Sequence, residues 1–63
     1  MKTCIIIDDE KNARETLAKI IERYFSTKIK ILFSADSVKE GVFAINKYNP
    51  DLVFLDIEMP EEN

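Results

Sequence analysis

A single cysteine, Cys4, leaves this chain no internal disulfide. The absence of histidine removes the commonest nitrogen ligand for zinc. There is no tryptophan, no low-complexity tract and no internal repeat. With 46% hydrophobic and 33% charged residues, the composition is that of a globular chain rather than a disordered one. The apolar run Cys4 to Ile7 is too short for a signal sequence, and Asp8, Asp9 and Glu10 end it. A cytoplasmic, reducing location without membrane contact is therefore expected. A basic stripe is missing too: nine Lys and Arg lie scattered among twelve Asp and Glu, net −3, which argues against direct nucleic-acid binding by this segment.

What is present fits one small domain. A chain of 63 residues hides only about 60% of the surface its unfolded form exposes, so marginal stability, aided by a metal or a partner chain, is expected. Thr3 to Asp8 is apolar, rich in β-branched residues and too short for a helix, which predicts a strand buried on both faces. Cys4 lies within it and reads as a buried structural thiol. From Asn12 to Phe25, Ala13, Leu17, Ile20, Ile21 and Tyr24 recur at helical spacing. Ile29 to Phe33 predicts a second strand, at an edge, with Ile29, Ile31 and Phe33 alternating against Lys30 and Leu32 intervening.

Ser37 and Glu40 have the spacing of a capping box and predict a second helix, with Val38, Val42, Ile45 and Tyr48 as its buried stripe. Gly41 is a weak point in that helix, and a close approach to the sheet is one reason for it. Asn49-Pro50 ends the helix. Leu52 to Leu55 predicts a third buried strand, closing on Asp56. The order is βαβαβ, and right-handed crossovers make it an α/β unit: a parallel sheet with helices on its faces. With strand order 2-1-3, the switch point lies between strands one and three, where ligands of open α/β sheets bind beyond the carboxyl ends of the strands.

Two segments then deliver carboxylates to one rim: Asp8-Asp9-Glu10 after the first strand and Asp56-Ile57-Glu58 after the third. Two carboxylates about 5 Å apart repel by roughly 3 kcal/mol at an effective dielectric of about 20, so a cluster of three calls for a cation or a proton. Oxygen donors without histidine favour magnesium (Mg2+) over zinc. A cation that neutralises charge on phosphoryl oxygens also makes covalent phosphorylation of an Asp chemically reasonable.

Asp8-Asp9-Glu10, the segment Asn49-Pro50-Asp51 and the run Leu55-Asp56-Ile57-Glu58-Met59-Pro60 together resemble receiver domains of two-component response regulators. The resemblance covers essentially the whole chain. An acidic pair after a strand is a weak signal; Asp-x-x-Met-Pro after an apolar run, 47 residues beyond Asp9, is a strong one. It implies a flavodoxin-like fold of which residues 1–63 form the first, βαβαβ half, with one helix on each face of the sheet. Asp56 would be the phosphoacceptor, receiving phosphate from a sensor histidine kinase. Asp9 and Asp56 would hold magnesium through their side chains, Asp8 chiefly through water and Glu58 through its main-chain carbonyl. Ala13-Arg14-Glu15 and Leu52 to Asp56 look most like receivers joined to LytTR-type DNA-binding domains, which act in transcription regulation.

The family's sheet has order 2-1-3-4-5 and is built from about twice this length, so the expectation is a truncated receiver without an output domain. The fourth-strand hydroxyl and fifth-strand lysine of the family have no counterpart here. Loss of one oxyanion donor costs roughly 2.7 to 4 kcal/mol in other enzymes, so impaired phosphorylation is expected. An uncovered third strand would also invite self-association. The chain would be its own substrate rather than a turnover enzyme. The alternative is a non-signalling, self-associating fragment that at most binds a divalent cation. A phosphoryl-transfer hydrolase on a related scaffold ranks last, because position 58 holds Glu where a second catalytic Asp is normally needed. Taken singly, Asp8 and Asp9 suit a helix start, Glu58 is equally a surface charge and Asp56 a solvated strand end. Their shared rim is what joins them.

Overall fold

The computed structural model describes residues 1–57. Five elements follow in the expected order: β1 Lys2–Asp8, α1 Lys11–Tyr24, β2 Ile29–Ala35, α2 Val38–Tyr48 and β3 Leu52–Asp56. The strands form one parallel sheet of order β2-β1-β3. Because β1 is central, it has no polar face to spare, and Cys4 to Ile7 are all buried. Their side chains alternate between two cores. Cys4 and Ile6 meet Leu17, Ala18 and Ile21 of α1, whereas Ile5 and Ile7 meet Ala44 and Ile45 of α2. One helix thus covers each face, and full burial of each isoleucine contributes about 1.5 to 3 kcal/mol.

The alternation in β2 is interrupted. Cys4 pairs with Ile31 but Ile5 with Phe33, so Leu32 is the extra residue of a bulge. Ile29 and Ile31 pack on the α1 side, and beyond the bulge Phe33 and Ala35 pack on the α2 side. The expected single-face series Ile29, Ile31, Phe33 is therefore corrected. One inserted residue moves everything after it to the opposite face.

In α1 the packed face is Leu17, Ala18 and Ile21, while Ile20 and Tyr24, expected in the stripe, are exposed. In α2 the stripe is likewise displaced. Gly41 and Ala44 are buried with Ile45 beside them, and Val38, Val42 and Tyr48 are exposed. Small residues win the sheet-facing positions because the helix lies close. A Cβ built on Gly41 would clash with Ile7 Cδ1 and stand 2.8 Å from Ile7 Cγ1. Ser37 caps α2 by accepting a bond from the Glu40 N–H at 3.2 Å. Asn49 closes the helix in the left-handed region, φ 48°, which asparagine tolerates better than most residues.

β3 corrects a further expectation. It was expected to be buried, yet Leu52, Val53 and Leu55 are exposed, and only Phe54 is half-buried, against the Cys4 and Ile6 core. Both helices pack on β1 and β2, so among the described residues β3 is an edge strand without a helix over it. Its entry is fastened to β1 instead. The Thr3 N–H donates to Asp51 Oδ2 at 2.8 Å, the Thr3 hydroxyl to the same oxygen at 3.1 Å, and the Asp51 N–H to the Thr3 carbonyl at 3.0 Å. The two bonds to Oδ2 hold the Asp51 carboxyl below its ordinary range, the one from the Thr3 backbone contributing most.

Candidate functional site

The end of β1 carries a buried carboxylate. Asp8 is 7% exposed, whereas Asp9 and Glu10 beyond it are exposed. Burial of an acid is tolerable only when its oxygens are satisfied. Asp8 Oδ1 accepts the Glu10 N–H at 2.9 Å, which folds the turn back on itself before α1 begins. The Asp8 carbonyl accepts from Arg14 Nη1, also at 2.9 Å. Asp8 and Asp56 are direct register partners on neighbouring parallel strands, so the sheet itself brings two carboxyl-bearing residues side by side. Parallel register is what converts two positions 48 residues apart into neighbours.

Both residues border two adjoining depressions on the carboxyl side of the sheet. One, of about 200 Å³, is walled by Ile6, Leu17 and Phe54. The other, of about 450 Å³, is walled by Asn12, Thr16, Leu17 and Ile20 of α1. Asp9 lines neither. Glu58, expected to contribute its main-chain carbonyl, and Met59-Pro60 lie outside the described residues. Among the described residues, no three Asp, Glu, Cys or His side chains gather as a ready metal cage. The donor set nevertheless fits a hard divalent cation. Magnesium binds through one or two carboxylates and keeps its waters, while the soft thiol of Cys4 is buried in the core with its pKa pushed up by that burial.

Residues 4–63 match the response regulator receiver domain family. The chain belongs to that family. Among curated relatives of this receiver chain, an uncharacterized response regulatory protein of Vibrio cholerae is 43% identical over 61 residues, covering 97% of the chain and 25% of the relative. The sensory transduction protein LytT of Bacillus anthracis is 35% identical over all 63 residues, 25% of its own length. The transcriptional regulatory protein BtsR of Escherichia coli is 39% identical over 56 residues, 89% of the chain and 23% of the relative. The chain thus spans about a quarter of the length of these relatives. No solved structure matches it significantly.

In this receiver the sequence pattern gives Arg14 no role at the rim, although it sits four residues after Glu10 on the half-buried side of α1. The one available signal was a long cation placed within reach of an acidic strand end. Among the described residues no helix is long and apolar enough to cross a membrane.

Proposed function

We propose that this chain is the phosphoacceptor portion of a response regulator, taking a phosphoryl group onto Asp56 from the phosphohistidine of a sensor kinase. The observation that supports this best is the register pairing of Asp8 with Asp56 at the switch point between β1 and β3. An Asp56 carboxylate oxygen attacks phosphorus in line with the departing imidazole nitrogen. The P–N bond breaks as the P–O bond forms, and the imidazole, which keeps the bonding pair, takes up a proton from water, giving an acyl phosphate and a free imidazole. Asp8, fixed by the Glu10 amide, keeps a second carboxylate beside the nucleophile. Asp9 and Asp56 would hold magnesium through their side chains, Asp8 mainly through water and Glu58 through its carbonyl. When bound, the ion neutralises charge on the transferring phosphoryl oxygens. The acceptor is consumed by its own reaction, so the module is not a turnover enzyme.

On this reading residues 1–63 are the first part of a receiver acting in the cytoplasm, without contacting nucleic acid themselves. The isolated chain transfers phosphate poorly, because the hydroxyl and lysine of later family strands are not part of it. Intact-mass measurement and peptide mapping after incubation with magnesium and a small phosphodonor test this. Phosphate is expected on Asp56 at low occupancy and none on Asp56→Asn; phosphate that persists in the variant would falsify the assignment.

The bare β3 favours a second reading, self-association of the isolated chain by pairing along its open edge, with no transfer at all. Sedimentation should show a dimer or larger species at high micromolar concentration. A compact monomer up to millimolar concentration rejects it.

A further inference from the structure

The guanidinium of Arg14 is spent on a neutral oxygen. Among the described residues it forms no ion pair, although Asp8, Asp9 and Glu10 lie close before it in the chain. Its Nη1 donates instead to the Asp8 carbonyl at 2.9 Å, while its own backbone N–H bonds the Glu10 carbonyl at 3.0 Å. These two bonds tie the stretch from Asp8 to Glu10 to the start of α1, and a third, from the Glu10 N–H to Asp8 Oδ1, closes the stretch on itself. The Asp8 carbonyl and the Asp9 N–H belong to one rigid peptide plane. Whatever holds that carbonyl therefore sets the direction in which Asp9 leaves the strand. Asp9 is exposed and makes no side-chain hydrogen bond among the described residues, so no other contact of its own fixes its aim.

We propose that Arg14 is a positioning residue for the acidic rim: by gripping the Asp8 carbonyl it fixes the Asp8–Asp9 peptide and thereby limits where the Asp9 carboxylate can reach when a divalent cation binds at the rim. This rests on the magnesium reading above. The proposal has a sign that separates it from a purely electrostatic role. A cation near a metal site repels the metal, so removing Arg14 for its charge alone would tighten binding. Loss of aim weakens it, and partners that orient metal ligands typically matter by 10- to 100-fold.

The test is titration of the 63-residue chain with magnesium, followed by the amide spectrum, for wild type, Arg14→Met and Arg14→Lys. Hydrogen exchange at the Glu10 amide is measured in parallel without metal. Arg14→Met should bind magnesium roughly 10-fold more weakly and exchange the Glu10 amide faster, with its unfolding midpoint little changed. Arg14→Lys keeps the charge but not the planar fork and should fall between the two, which keeps the test usable if the methionine variant folds poorly. Unchanged or tighter magnesium binding in both variants overturns the proposal. If wild type binds no magnesium, the metal reading fails by itself, and the Glu10 exchange rates decide alone whether Arg14 holds the turn: faster exchange supports the grip, equal exchange overturns it.

Discussion

β2 and β3 flank the same central strand in the same parallel sheet, yet they live in different surroundings. The β2 side lies under both helices, ends in the fully buried Ala35 and contributes to both cores. Among the described residues the β3 side has no helix over it, and Leu55 is 64% exposed. Both strands have apolar sequences, so hydrophobicity alone does not distinguish them. The difference is which side of β1 the crossover helices cover. The uncovered side is also the one that carries Asp56. The nucleophile candidate thus sits on the least buried strand, while its partner Asp8 sits on the most buried one.

Substitutions can sharpen or break this contrast. The largest effect is expected at the centre: Ile6→Ala removes a fully buried side chain and should cost about 2 to 5 kcal/mol in urea unfolding, enough to unfold much of so small a chain. Gly41→Ala comes next. It drives a methyl into the β-branched Ile7, with an overpacking cost of about 1 to 3 kcal/mol set against a helix-propensity gain of about 1 kcal/mol. A net loss of stability is expected, and a stabilised variant would show that α2 can lift off the sheet without loss.

On the bare side, Leu55→Ser should change stability by no more than about 0.5 kcal/mol. A loss comparable to Ile6→Ala would mean that β3 is covered in solution, as self-association requires, and the loss should then depend on protein concentration. The smallest effect concerns the clasp that fastens β3. The Asp51 carboxyl is held below its unfolded value by the Thr3 bonds, so its contribution is complete above the unfolded pKa of about 3.9 and fades as pH falls through the lower folded value. The stability gap between wild type and Asp51→Asn should therefore be constant near neutrality and close in acid. A gap that widens on acidification has the wrong sign for this clasp.

Much of the framework was legible beforehand because its signals are local. The β-branched run of β1, the Ser37 cap and the Asn49-Pro50 stop each act within a few residues, and once the third strand is set beside the first, in the order 2-1-3 that the family resemblance implies, right-handed crossovers put one helix on each face. The site was legible in part, since Asp8 and Asp56 end two strands of one parallel sheet and must share a rim. The helix faces were less so. Ile20, Tyr24, Val38 and Val42 fit an apolar period but stay exposed, because α2 lies too close to Ile7 for anything but Gly41 and Ala44 beneath it, and α1 turns Leu17, Ala18 and Ile21 to the sheet.

By itself, then, the sequence determined which segments become strands and helices and which carboxylates stand at strand ends, for these depend on residue type and short-range geometry, although β2 runs on to Ala35, two residues past its expected end. Tertiary structure alone decided the bulge at Leu32, the burial of Asp8 beside an exposed Asp9, the grip of Arg14 on a strand-end carbonyl and the bareness of β3. Each of these depends on how far apart two packed elements come to rest, and that separation is set jointly by side chains distant in the chain.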